Sequence, residues 1–325
     1  MVEIIVPGTA EDGAQTGPGL APVAVFDDFL PKDLADAMRA DIDAHFAKPG
    51  AHGPDTHQVW NYWFVPELYT YLRTSPEKIF RGDRTKAFMQ ALRTWSLETL
   101  GLGKVTLPYL SLYVPGCRQG WHNDSGNGRF AYVYSLTRDT RLTTGGETLV
   151  MREGDGLRRN LTRPAAGSGF FVSVPPRFNR LVIFDDRVPH AVERVDGAMD
   201  PVEGRFVLHG HIHEAGTSVT GALPAPIVEQ AIAGVVDRFV ADAAERLAPY
   251  HGPLTLRLTA DATGEVVSCD VLIDRVLHPD VSDTAWESLR EQLLERLDAL
   301  RLPEGSGETV VILPLMFGKR PAPFR

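Results

Sequence analysis

Apolar positions along the chain change their spacing twice. A short apolar run, Val23-Ala24-Val25-Phe26, predicts a strand where structure begins, after a Gly-rich, aperiodic arm over residues 1–21. Leu34, Met38, Ile42 and Phe46 then recur every fourth residue and predict a helix, with Asp28 as a candidate cap and Pro31 in the first turn. Phe88, Ala91, Leu92 and Trp95 share one face of a second helix over roughly 83–100, stopped by Gly101 and Gly103. From residue 105 the helical spacing disappears. Short β-rich segments bounded by Gly, Pro or Asp follow at 105–114, 119–123, 129–137, 147–151, 170–174, 180–185, 188–195 and 204–213. That many closely spaced strands without intervening helices predict an antiparallel barrel or double-sheet jelly roll. Helices ahead of strands make the class α+β.

Gly216, Gly221, Pro224 and Pro226 place a boundary near 217–225, so the chain divides into an arm (1–21), a main domain (22–216) and a tail domain (217–325). The tail pattern predicts a helix over 226–247, a strand from Leu254 to Leu258, a turn at Asp261–Gly264, a strand from Val266 to Ile273, a helix over 282–300 and a strand from Val310 to Leu313. This small α+β unit, with its Leu254–Val267 hairpin, resembles the carboxy-terminal domain of TonB-like proteins. That shape implies docking on a protein partner or self-association.

Composition narrows the class. In 325 residues, 43% hydrophobic and 23% charged are the proportions of a globular chain. A net charge of −9 removes the usual driving force for generic binding to nucleic acid or anionic membrane. No apolar stretch reaches spanning length, and no export signal is visible at the amino terminus. The cysteines, Cys117 and Cys269, are spaced for neither zinc nor a disulfide framework, which fits a cytoplasmic protein.

The chemically informative segment is Tyr113-Val114-Pro115-Gly116-Cys117-Arg118-Gln119-Gly120-Trp121-His122-Asn123-Asp124. On a strand, residues two apart share a face, so His122 and Asp124 offer an imidazole and a carboxylate to one cation. Alone, His-x-Asp is better explained by a surface or hydrogen-bonded histidine than by a ligand. His190, after Phe184-Asp185-Asp186-Arg187-Val188-Pro189, supplies a third ligand late in the strand series. Two histidines and one carboxylate form the facial triad of non-haem iron(II) sites, with positions left open for a cosubstrate and dioxygen. Arg205, in Gly204-Arg205-Phe206-Val207, offers a permanent, bidentate cation suited to a buried dicarboxylate.

With Gly128-Arg129-Phe130 and Gly145-Gly146-Glu147 in order between these residues, the sequence over 22–216 resembles the iron(II)- and 2-oxoglutarate-dependent dioxygenases, specifically the prolyl-4-hydroxylase-like branch. The resemblance implies a double-stranded β-helix (jelly roll) with amino-terminal supporting helices. It also implies Fe(II) on His122, Asp124 and His190, the distal carboxylate of 2-oxoglutarate on Arg205, Tyr113 beside the cosubstrate, and O2 as oxidant. An aspartate at 124 implies hydroxylation rather than halogenation, since halogenating relatives vacate that position.

Two departures stand out. Tyr134-Ser135-Leu136-Thr137 puts Ser135 where relatives often carry a tyrosine bonded to the cosubstrate, and Asp196–Pro201 lengthens the hairpin between His190 and Arg205. Strand parity also places His209 and His211 on the face of Arg205, beside substrate or within the barrel wall. The loop Arg152–Arg163 is long enough for a lid, and its arginines, with Arg177 and Arg180, are either an anion-receiving patch or a solvated surface. Gly126 and Gly128 mark a flexible mouth or a tight turn. Three readings of function stand: hydroxylation of an amino acid or small metabolite, the same chemistry on a peptide or protein residue with the tail as docking module, and a non-catalytic metal-binding sensor or adaptor.

Overall fold

The computed structural model describes residues 2–3, 19–47, 59–138, 142–151, 171–278 and 285–318. The predicted lid at 152–163 and most of the amino-terminal arm therefore lie outside the described residues. The chain forms two compact units, one of residues 1–94 and 104–213, the other of 95–103 and 214–325.

In the first unit, β1 (Val2–Glu3), β2 (Val23–Phe26), α1 (Lys32–Phe46), β3 (Asn61–Val65), β4 (Tyr69–Thr74) and α2 (Arg84–Leu100) precede the strand-rich region. There follow β5 (Lys104–Val105), β6 (Tyr109–Tyr113), β7 (Arg118–His122), β8 (Phe130–Ser135), β9 (Thr143–Thr144) and β10 (Thr148–Met151), then β11 (Phe171–Val174), β12 (Arg180–Asp185), β13 (His190–Val192), β14 (Asp196–Gly197) and β15 (Arg205–His213). The strands run antiparallel in the order β1-β2-β12-β8-β15-β6-β4-β7-β13-β10-β11, a curled jelly-roll sheet. The fold class is α+β, as the segment pattern predicts.

Alternation sorts the side chains. Phe206 and Tyr134 point outward, where Phe46 of α1 lies 6.1 Å from Phe206 and Phe88 of α2 lies 5.2 Å from Tyr134. Arg205 and Val207 take the inner face by the same period of two. A dry cluster of Val23, Val25, Ala131, Val150, Val172, Val174, Val182 and Phe184 fills the interior beyond them. Burying such side chains is worth about 1.5–3 kcal/mol each relative to exposure, which is what holds the curled sheet against backbone entropy.

The hairpin β3–β4 is absent from the pattern-based expectation. Asn61–Val65 is apolar at nearly every position and shows no alternation, but its aromatic and β-branched residues favour extended backbone, and Glu67 turns the hairpin with φ +62°. Strand β4 sits between β6 and β7 and joins the two halves of the sheet. Asp28 does not cap α1: it adopts φ +53°, and Pro31 is the capping position, without a side-chain hydrogen bond.

Arg180, a candidate for anion binding, is instead a buried structural cation. Its Nε and Nη2 donate to the two carboxylate oxygens of Asp27 at 2.6 and 2.8 Å. That bidentate bond holds the Asp27 carboxyl below its ordinary pKa of 3.8, against the opposing effect of burial. The pair's contribution is therefore in place above that pKa and fades as pH falls through the lower folded-state value. Asp27→Ala should cost about 2 kcal/mol at neutral pH, because it strands a buried guanidinium, and the loss should shrink in acid; thermal melting of both proteins from pH 7 to pH 3 reads this out.

The second unit carries β16 (Ser218–Gly221), α3 (Ala225–Leu247), β17 (Gly252–Ala260), β18 (Val266–Asp274), α4 (Ala285–Asp298) and β19 (Thr309–Phe317), with sheet order β16-β19-β17-β18. The stretch read as a punctuated boundary thus contains an edge strand, Ser218–Gly221. Helix faces built from Val228, Ile232, Val235 and Phe239, and from Trp286, Leu289, Leu293 and Leu297, pack with Leu254, Leu256 and Leu258 in one core. Among the described residues, no helix is long and apolar enough to cross a membrane.

Candidate functional site

The site begins with strand register. His190 of β13 pairs directly with His122 of β7, which brings the rings to 4.3 Å between centroids. His122 Nδ1 bonds the carbonyl of Gly120 at 2.8 Å, and His190 Nδ1 bonds that of Val188 at 3.0 Å. A carbonyl can only accept, so each ring carries a proton on Nδ1, which leaves Nε2 as the atom a metal would take up, displacing any second proton. Asp124 lies just past β7, positioned by its backbone N–H on the carbonyl of Asp186, with Oδ2 3.4 Å from His190 Nε2. One ligand atom from each of His122, Asp124 and His190 falls within 4.8 Å of the others.

Electrostatics suit a cation. Burial opposes charge on Asp124, but the bond and charge of His190, with His122 and His211, bring its pKa down to about 2. Burial, then the neighbouring His190, lowers the pKa of His122 and favours the neutral ring that a metal requires. Two neutral imidazoles and a carboxylate are a donor set for a divalent transition ion, and they fit Fe(II).

Arg205 occupies the same cavity, a space of about 490 Å3 also lined by His122, Asp124 and His190. It stands opposite Tyr113 on β6, and its guanidinium carbon is 4.7 Å from the Tyr113 ring centroid. Nη2 donates to Thr148 Oγ1 at 3.0 Å, whereas Nε and Nη1 are buried without a hydrogen-bond partner among the described residues. A buried guanidinium with open donors is costly unless an anion completes it. This fits a carboxylate of 2-oxoglutarate. Gly146, at φ +81°, makes room: a Cβ there would lie 3.1 Å from Arg205 Cδ. Tyr113 is buried too, and its hydroxyl donates to Gln119 Oε1 at 3.1 Å, while Gln119 Nε2 lies 3.0 Å from His122 Nε2.

The structure places His209 and His211 in the cavity wall with Arg205, in keeping with strand parity. His209 Nε2 is 2.8 Å from Ser111 Oγ, and burial pushes its pKa well below the usual value. His211 faces Asp186 at 3.1 Å, and although burial opposes its charge, that carboxylate raises its pKa. Asp186 itself is pushed up to about 6 by burial. Asp124, Asp186 and His211 make a second close group. Gly128 permits it, since a Cβ would stand 2.7 Å from Asp186 Oδ2 and 2.8 Å from His211 Cβ; the residue belongs to tight packing rather than to an open mouth.

Ser135 is not among the residues lining the cavity. Its hydroxyl is engaged with Thr137 Oγ1 at 3.0 Å and the carbonyl of Pro176 at 3.1 Å. Thr148 supplies the hydroxyl beside Arg205, Arg73 also lines the cavity, and neither of these nor Asp186 is foreseen from the sequence. Arg73 lies on the unforeseen strand β4; Thr148 and Asp186 are of types too common in strands and turns to signal a role.

A curled jelly roll whose interior holds two imidazoles, a carboxylate and an open arginine has the construction of a mononuclear non-haem metalloenzyme. Residues 109–213 match the 2OG-Fe(II) oxygenase superfamily, and this stretch carries each of these residues except Arg73. Over those residues the chain carries a 2OG-Fe(II) oxygenase domain, the signature of a 2-oxoglutarate-dependent dioxygenase using Fe(II), 2-oxoglutarate and O2. Among solved structures, a Pseudomonas putida prolyl-4-hydroxylase is 19% identical with a TM-score of 0.42, covering 59% of this chain and 92% of its own. A Trichoplax adhaerens prolyl hydroxylase, solved with a hypoxia inducible factor peptide fragment, is 13% identical with a TM-score of 0.44, covering 59% and 84%. SnoN, an alpha ketoglutarate dependent epimerase from nogalamycin biosynthesis, is 14% identical with a TM-score of 0.38, covering 60% and 79%. No curated protein matches the chain.

Proposed function

We propose that this dioxygenase hydroxylates a C–H bond of an amino acid or other small metabolite, with His122, Asp124 and His190 holding Fe(II) and Arg205 holding the distal carboxylate of 2-oxoglutarate. The observation that carries the reading is the presence, in one cavity, of the three-ligand cluster and a buried guanidinium with two unpartnered N–H groups. Bound there, iron and cosubstrate would supply the oxidising power: O2 is reduced as 2-oxoglutarate loses CO2 to become succinate, one oxygen atom going to succinate and one to the substrate.

The protein's own residues prepare this chemistry. The carbonyls of Gly120 and Val188 fix the tautomers that direct both Nε2 atoms at the metal. Asp124 supplies the anionic ligand, and retaining it favours hydroxylation over transfer of a halide. Arg205 neutralises the far carboxylate, while Thr148 and the Tyr113 ring hold the guanidinium in place. The walls formed by Phe184, Val192 and Val207 limit access of bulk water. Residues 22–216 would form the catalytic domain and 217–325 a docking or self-association module. The net charge of −9 speaks against a nucleic-acid substrate.

Adding Fe(II) and then 2-oxoglutarate to the apoprotein without oxygen should produce the weak visible charge-transfer band of a chelated keto acid. Admitting O2 should then yield succinate. Bound iron without a band would remove 2-oxoglutarate from the site and leave the sensor reading in its place.

A further inference from the structure

The cavity contains a second arginine that the proposed function leaves unused. Arg73 of β4 stands opposite Ser111 of β6, and Ser111 stands opposite Val207 of β15. Arg205 and Tyr113 occupy the adjacent inward row, so the two guanidinium groups belong to neighbouring rows of one face. The guanidinium carbon of Arg73 lies 4.4 Å from the Tyr109 ring centroid, 4.5 Å from that of Trp63 and 5.2 Å from that of Tyr71. One nitrogen donates to the Tyr71 hydroxyl, while Nε is buried without a hydrogen-bond partner. Among the described residues, no carboxylate forms an ion pair with Arg73 or Arg205.

Two arginines in one cavity without a directly ion-paired carboxylate leave room for more than one anionic group. If 2-oxoglutarate spends one end on Arg205 and the other at the metal, as the proposed function holds, Arg73 is left for a different anion. Rings on its sides retain the cation by cation–π contact, leaving an in-plane edge suited to a planar, singly charged group. A phosphate would call for further cationic donors, yet among the described residues the lining holds only these two arginines and no lysine.

We propose that Arg73 anchors the free carboxylate of the primary substrate, between Trp63, Tyr71 and Tyr109. This deepens the proposed function and rests on it: a substrate bound by its own carboxylate is a small acid or a free amino acid, not an internal residue of a peptide. Trp63 is at once part of the cage and its optical reporter.

The test uses full-length wild type, R73M, R73K and R205M, loaded without oxygen with Fe(II), first alone and then with 2-oxoglutarate. Probes are the twenty L-amino acids, their primary amides, and straight-chain monocarboxylates of three to eight carbons. Readouts are the charge-transfer band and tryptophan fluorescence, with W63F identifying the Trp63 signal. At least one acid should bind, its amide about tenfold or more weaker. R73M should erase that preference while leaving the 2-oxoglutarate Kd within about twofold of wild type. R73K, which keeps the charge but loses the planar fork, should retain a reduced preference and thereby exclude a folding defect. Amides binding as well as acids, no acid binding, or R73M weakening 2-oxoglutarate as much as R205M would each overturn the proposal. Failure of the underlying dioxygenase site registers separately, as a missing wild-type band before any probe is added, and the fluorescence comparison on the iron-loaded protein still decides the role of Arg73.

Discussion

Asp124→Ala should abolish succinate formation, by roughly a thousandfold or more, and should weaken Fe(II) binding at the same time. The carboxylate supplies the anionic member of the cluster, and an alanine leaves two imidazoles, 4.3 Å apart between ring centroids, with no anionic donor to offset the charge of a divalent ion. The fold should survive. The backbone N–H of Asp124 stays on the carbonyl of Asp186, and the deleted side chain belongs to the cavity wall rather than to a packed apolar core. Iron titration, succinate assay and melting temperature of the apoprotein separate the two effects; an apoprotein that melts as wild type does but neither binds iron nor turns over is the expected outcome. Retained turnover would remove Asp124 from the metal site.

Arg205→Met should raise the Kd for 2-oxoglutarate about a hundredfold, equivalent to about 2.7 kcal/mol. Iron binding should change little. A second consequence runs the other way. Arg205 is 4% exposed, and two of its nitrogens lack partners, so without cosubstrate it is a buried charge held at a cost to the fold. Burial accordingly lowers its pKa. The methionine variant should therefore melt at or above the wild-type temperature as apoprotein, yet gain nothing from added 2-oxoglutarate. Thermal melts with and without the keto acid check both statements, and a strongly destabilised apoprotein would mean that Arg205 is a structural cation like Arg180.

What the sequence makes legible here follows from periodicity. A spacing of two places the run Arg205, Val207, His209, His211 on one inner face, because strand geometry leaves little freedom once the strand is recognised; Asp124 lies just past β7, and its N–H on the Asp186 carbonyl sets it beside His122. The same logic misses β3 and β4. Their residues are mostly aromatic or β-branched, so hydrophobicity does not alternate, although the inward side chains do. Arg73 was hidden with them. Thr148 and Asp186 were hidden for another reason: their roles arise from partners 57 and 25 residues away in sequence, Arg205 and His211. No local pattern encodes such pairings. In the tail, Gly216 and Gly221 mark a boundary, but Ser218–Gly221 between them is a strand, since its pairing with β19 is set by residues about ninety positions later.

Each histidine of the cluster is oriented by a carbonyl only two residues earlier in the chain. On the proposed assignment, metal binding is thus written into two short tripeptide frames, whereas Arg205 depends on Thr148 and Tyr113, which come from strands far away in sequence. Partial loosening of the jelly roll would act on these unequally. As the sheet softens, by heat, denaturant or a distant core substitution, keto-acid affinity should decline ahead of iron affinity. The protein would pass through a state that carries iron but no longer engages the reductant that makes oxygen activation productive.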